Sequence, residues 1–107
     1  MRTIGLPVMS KEQNEVRGFL PGFVAELSNY GVEIFLEQGY GEGMGIKDEA
    51  YLRENSQAIH LVSHEEAYKQ DLVIVLRAPK FNELSLMRRG AALVDMLHYK
   101  SRLKLVQ

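Results

Sequence analysis

Residues 71–79 read DLVIVLRAP, and the unbroken apolar run Leu72, Val73, Ile74, Val75 and Leu76 decides the fold. A strand apolar on both faces belongs in the middle of a parallel sheet that helices cover on both sides. The segments around it agree. TIGLPV near the start is β-prone and closed by Pro7, which predicts a strand over about 2–6. VEIFLE at 32–37 alternates Val32, Ile34 and Leu36 with Glu33, Phe35 and Glu37, the pattern of a strand with one less buried face or a place near a sheet edge. AIHLVS at 58–63 predicts a further strand, and AALVDMLHYK a last buried one through about Leu97.

Helical patterns separate the strands. PGFVAELSNYG brings Phe23, Val24, Leu27 and Tyr30 to one stripe, opens with Pro21 and stops at Gly31, predicting three turns. IKDEAYLRENS has early acids Asp48 and Glu49 ahead of Tyr51 and Leu52. Ser63 stands three residues before Glu66, the spacing of a capping box that opens a short helix. FNELSLMRRG gives another helix with a glycine stop at Gly90. The alternation βαβαβαβαβ therefore predicts an α/β fold, a three-layer open parallel sheet of about five strands with right-handed crossovers.

The glycine-rich stretch EQGYGEGMG at 37–45 raises the question of a bound dinucleotide. Glycines at 39, 41, 43 and 45 give no frame with the two-residue gap of G-x-G-x-x-G, and Glu42 among them repels a pyrophosphate. A structural turn is the better reading, since glycine permits positive φ and close packing.

At 107 residues the chain suits one domain. Thirteen basic and fourteen acidic residues leave a net charge of -1, which gives no reason to bind nucleic acid, and the Arg88–Arg89 pair reads as solvated helix-end charge. Without cysteine there is neither a disulfide framework nor a thiolate nucleophile. The opening MRTIGLP lacks a secretory apolar core, and no apolar run reaches membrane-spanning length, so a cytoplasmic protein that does not engage membranes is expected. His60 and His64 are four apart but straddle a strand-to-helix junction without a third ligand nearby in sequence, so no metal site is expected.

In open parallel sheets ligands bind outside the carboxyl ends of the strands. Three residues fall in that zone. Arg17 lies in the long loop MSKEQNEVRG after the first strand, Arg77 ends the all-apolar strand ahead of Pro79, and His98 ends the last strand. A guanidinium grips a carboxylate through two parallel hydrogen bonds, and histidine, with an unperturbed pKa of about 6.5, moves protons near neutrality.

The segments MRTIGLP, KEQNEVRGFLPG, VAELSNYGVEIFLEQGYGEGMGIKDEAY, DLVIVLRAP and LMRRGAALVDMLHYK, in this order through nearly the whole chain, resemble the N-terminal substrate-binding domain of the alanine dehydrogenase and pyridine nucleotide transhydrogenase family. More distantly they are similar to the opening domain of saccharopine dehydrogenases. The resemblance implies a Rossmann-like (flavodoxin-like) domain without the dinucleotide fingerprint, facing a separate nucleotide-binding domain or subunit that is not encoded within residues 1–107. It implies that Arg17 holds the carboxylate of an oxo or amino acid, that Arg77 stands at the family's K-E-P lysine, and that His98 is the active-site histidine. The implied cofactor is NAD(P), bound by the complete enzyme and not by this chain alone.

The departures are specific. Arg77 replaces a compact ammonium with a planar fork that stays protonated, Ala78 replaces the glutamate of K-E-P, and GFLPG is shorter than the family pattern and lacks its threonine. The expected function is thus the substrate half of an amino-acid dehydrogenase, inactive alone. The alternatives are a non-enzymatic carboxylate-binding or regulatory domain and a transhydrogenase-like domain. A flank left open for the second domain also suits self-association into a homo-oligomer.

Overall fold

The computed structural model describes residues 3–8, 19–53, 55, 57–75 and 81–95. The chain forms β1 (Thr3–Leu6), α1 (Pro21–Ser28), β2 (Glu33–Glu37), a 3₁₀ turn (Glu42–Met44), α2 (Asp48–Leu52), β3 (Ile59–Val62), α3 (His64–Tyr68), β4 (Leu72–Val75), α4 (Phe81–Leu84) and β5 (Ala92–Asp95). The strands make one five-stranded sheet in the order β3-β2-β1-β4-β5, and every pairing is parallel. This is the expected α/β architecture, a three-layer Rossmann-like fold.

The apolar run earns its central place. β4 lies between β1 and β5, with Ile4 opposite Leu72 and Val75 opposite Asp95. Its side chains alternate between two cores. Ile74 joins Ile4, Leu6, Ile34, Leu36 and Ile59 from the sheet with Val24 of α1 and Tyr51 of α2, whereas Val73 and Val75 pack with Tyr68 of α3, flanked by Leu86 and Met87. One helical layer covers each face. At the amino ends the Thr3 amide donates to Asp71 Oδ2 at 3.3 Å and the Asp71 amide donates to Thr3 Oγ1 at 2.9 Å, which locks the register between β1 and the start of β4.

The close approach of α3 depends on Gly5. A Cβ built there would run into the Ala67 carbonyl oxygen and lie 3.1 Å from Gln70 Cγ. The Ser63 cap forms as expected, its Oγ accepting the Glu66 amide at 3.2 Å.

Strand β2 alternates as expected, with Ile34 and Leu36 buried and the other face less so, and it lies one place in from the β3 edge of the sheet. Three expectations need correction. Helix α1 ends at Ser28, so Tyr30 falls past its stripe and is 81% exposed. Helix α4 ends at Leu84. There Ser85 Oγ donates to the Asn82 carbonyl, a local bond that competes with helix continuation. Strand β5 is an edge strand paired only with β4 among the described residues, so Ala92 and Leu93 are exposed and not buried.

Replacing Gly5 with Ala is expected to lower unfolding free energy by about 1–3 kcal/mol, the usual cost of overpacking. Gly22 in α1 has open space where a Cβ would stand, so Gly22→Ala is expected to be neutral or stabilising by up to about 1 kcal/mol. Urea titrations of both variants check the contrast, and equal effects would contradict the packing of α3 on β1.

Candidate functional site

In an open α/β sheet the crevice forms at the carboxyl edge where successive crossovers change direction. The order β3-β2-β1-β4-β5 puts that point between β1 and β4. The strands that end beside it are β1 at Leu6, β4 at Val75 and, next along, β5 at Asp95. Arg17, Arg77 and His98 lie outside the described residues, so the structure neither brings them together nor separates them. In the sequence each follows one of these three adjacent strands, Arg77 two residues after Val75 and His98 three after Asp95.

The described residues hold a second cluster at the same edge. Glu37 ends β2, His64 opens α3 behind the Ser63 cap, and Glu83 lies in α4. His64 Nδ1 is 2.6 Å from Glu37 Oε1, and its Nε2 is 3.1 Å from Glu83 Oε2. Glu37 Oε1 also accepts the Val8 amide at 2.7 Å. An ionised carboxylate only accepts, and neutral imidazole has one N–H, so satisfying both contacts requires the doubly protonated ring. Burial alone would lower the pKa of His64, but hydrogen bonds and charge from Glu37, then Glu83, outweigh it and raise the pKa. The two carboxylates are only 17% and 13% exposed, so they are screened less than surface charges.

Tyr68 lies one helical turn on from His64, its ring edge-on to the imidazole with centroids 5.1 Å apart. Its hydroxyl is fully buried with no hydrogen-bond partner among the described residues. Burial, with Glu83 and Glu37 adding negative charge, raises the pKa of the phenol far above its ordinary value, so it stays neutral. The ring nitrogens of His64 face two different carboxylates, and among the described residues no three acid or histidine side chains converge as metal ligands. His60 makes a separate pair with Glu33 at 2.6 Å on the exposed surface, where solvent screens it.

The sequence reading missed this cluster because it found no carboxylate close to the histidines along the chain. Glu37 and Glu83 are 27 and 19 positions from His64, and the fold supplies the proximity. The available signal was positional: a glutamate closing a strand and a histidine opening a helix both belong at the carboxyl edge.

The glycine segment is a turn closed by its own hydrogen bonds, among them Glu42 to Gly39 and Met44 to Gly41 along the backbone. Gly39 and Gly45 have φ of 79° and 76°, and the Gly39 amide donates to both Asp48 oxygens, at 3.0 and 3.2 Å. A Cβ on Gly41 would lie 2.8 Å from Tyr51 Cε2 and 2.9 Å from Ile46 Cβ. The leading amide of the turn thus serves a carboxylate of the same chain. The tyrosines of this region hold Phe19: its amide donates to Tyr40 Oη at 3.0 Å, and Tyr51 Oη donates to its carbonyl at 2.6 Å. Burial raises both phenol pKa values, that of Tyr51 to about 12, with Asp48 contributing there.

The doubly wound parallel sheet, with a polar cluster at its carboxyl edge, defines an α/β domain of the Rossmann-like class. The family model "Alanine dehydrogenase/PNT, N-terminal domain" matches residues 8–107, and the chain belongs to that family. It is 28% identical over 87 residues to alanine dehydrogenase 1 of Staphylococcus aureus, covering 81% of this chain and 23% of that protein. The chain therefore spans about a quarter of the length of the curated relatives it matches. Among solved structures, a transhydrogenase from Sinorhizobium meliloti superposes with a TM-score of 0.72 at 24% identity, covering 95% of this chain and 30% of that one. An L-alanine dehydrogenase superposes with a TM-score of 0.65 at 27% identity, covering 85% and 25%.

Because the folded pKa of His64 is raised above its unfolded value of about 6.5, its contribution to stability is fully present below that pH. It is lost as pH rises through the folded pKa. Glu83→Gln is expected to lower the His64 midpoint and to flatten the loss of stability over that window. Ring-proton titration and urea unfolding on either side of the midpoint check this, and an unchanged midpoint would contradict the ion pair.

Proposed function

We propose that this domain binds a small 2-oxo acid or amino acid by its carboxylate, as the substrate-binding part of an NAD(P)-dependent amino-acid dehydrogenase. The observation that carries the reading is the crossover point between β1 and β4, because Arg17, Arg77 and His98 follow the strands that end there. Membership of the alanine dehydrogenase/PNT family supports it.

In this reading Arg17 clamps the substrate carboxylate in a bidentate pair. Arg77 reinforces the clamp or polarises the carbonyl oxygen at C2. His98 gives or takes a proton as C2 passes between carbonyl, imine and amine. The nicotinamide that exchanges hydride with C2 belongs to a separate nucleotide-binding domain, consistent with a glycine turn here whose Gly39 amide serves Asp48. Such a domain binds substrate and is silent in catalysis until its partner domain is supplied.

Arg77 also favours a second reading, a carboxylate-binding or regulatory domain without catalysis. An arginine where the family has lysine keeps the charge and gives up any role in proton transfer. NAD reduction on mixing with a nucleotide-binding domain of the family separates the two.

Titration of the folded protein with pyruvate, alanine and a longer oxo acid, followed by the ring signals of His98, tests the binding claim. Saturable shifts are expected for at least one of them, with binding weakened about tenfold or more by Arg17→Ala, the worth of one charged hydrogen bond. No saturable shift with any ligand would refute the reading.

A further inference from the structure

The stretch of sequence that carries Arg17 is flanked by two anchored residues, Val8 and Phe19, and the two anchors differ in their chemistry. At its far end Phe19 is held through its amide and carbonyl by Tyr40 and Tyr51, whose raised pKa values keep them neutral across the physiological range. At its near end the Val8 amide is held by Glu37 Oε1, the same oxygen that meets His64 Nδ1. Glu37 reaches Val8 from β2, 29 positions away in the chain. What keeps its carboxylate in place is an imidazole braced from behind by Glu83 of α4.

We propose that His64 is a positioning residue: as an imidazolium bridging Glu37 and Glu83 it fixes the Glu37 carboxylate under the Val8 amide, and so couples the anchoring of Val8, just past β1, to a proton. The coupling to ligand affinity rests on the carboxylate-binding reading above, while the anchor itself does not. Among the described residues, the titratable groups facing the ring are Glu37 from β2, Glu83 from α4 and Tyr68 from its own helix, and the segment that follows β1 contributes the Val8 amide. Loss of the second ring proton removes one of the two charged bonds and leaves Glu37 without its counter-charge. Deprotonation then loosens the anchor at Val8 while the tyrosines keep the one at Phe19. A bidentate carboxylate clamp tolerates little displacement, so affinity falls as His64 loses its proton.

The test follows the Val8 amide and the His64 ring together by NMR between about pH 6 and pH 8.5, a range that spans histidine titration from its ordinary pKa upward. The Val8 shift is expected to move with the same midpoint as the ring. Its exchange with solvent, corrected for intrinsic rate, is expected to be about tenfold faster in His64→Gln, the worth of one charge-assisted hydrogen bond. His64→Arg, permanently charged, is expected to keep the slow exchange and lose the Val8 transition. Glu37→Gln, nearly isosteric, is expected to lower the His64 midpoint and abolish the shared transition even where His64→Gln folds poorly.

Pyruvate affinity, measured in the same series, is expected to weaken severalfold with rising pH in the unsubstituted protein. Part of that dependence should disappear in His64→Arg, and the part that persists belongs to other titrating groups such as His98. A Val8 amide indifferent to the His64 titration would overturn the anchor. Identical pH dependence of pyruvate affinity in the unsubstituted protein and in the His64→Arg variant would overturn the coupling. Pyruvate failing to bind at any pH, beside an intact Val8 transition, would refute both the coupling and the substrate reading and leave the anchor standing.

Discussion

The parallel pairing of β1 with β4 is the constraint on which the rest of the domain depends. It reverses the direction in which the chain adds strands, sends one helical layer to each face and opens a crevice at the carboxyl edge. That pairing requires α3 to lie directly over β1, and the contact between the Ala67 carbonyl and the place where a side chain would start on Gly5 shows how little room is left. Thr3 and Asp71 exchange hydrogen bonds at the opposite edge, so the register is fixed away from the site and the carboxyl edge carries the polar groups.

That edge is electrostatically divided. Among the described residues it carries a cationic imidazole between two carboxylates, next to a buried phenol with no partner. The carboxylates come from β2 and α4 and meet on the one ring of His64. A cluster with both ring nitrogens engaged is a brace rather than a ligand set. Its place against Val8 ties it to the chain just past β1, and Phe19 rests on neutral tyrosines. The glycine turn belongs with those tyrosines, since Gly41 admits the ring of Tyr51 to within contact distance and Asp48 closes the turn.

Much of the fold was legible because its signals are local. Five apolar residues in a row, rich in Val and Ile and closed by Pro79, suit a strand buried on both faces, and Ser63 with Glu66 marks a helix start from hydroxyl chemistry alone. Residues set by tertiary neighbours were less legible. Leu93 looks as buried as Leu72 in the sequence, yet no further described strand lies beyond β5, so it is exposed. The pairing of Glu37 and Glu83 with His64 was invisible, because it arises only when a strand end, a helix start and a second helix meet at one edge. For Arg17, Arg77 and His98, which lie outside the described residues, the sequence offers only their position after strands, a rule that depends on topology and not on local contacts.

The central claim is that these three residues share the edge where β1 and β4 end. The chain has no cysteine, so a single Val16→Cys substitution takes one nitroxide label next to Arg17 in the sequence. Paramagnetic broadening of amide signals then reports what lies near. The account predicts strong broadening at Arg77, His98 and the carboxyl ends of β4 and β5, with Leu72 and Ala92 at the opposite edge unaffected. Broadening at Leu72 and Ala92, with Arg77 and His98 sharp, would contradict it.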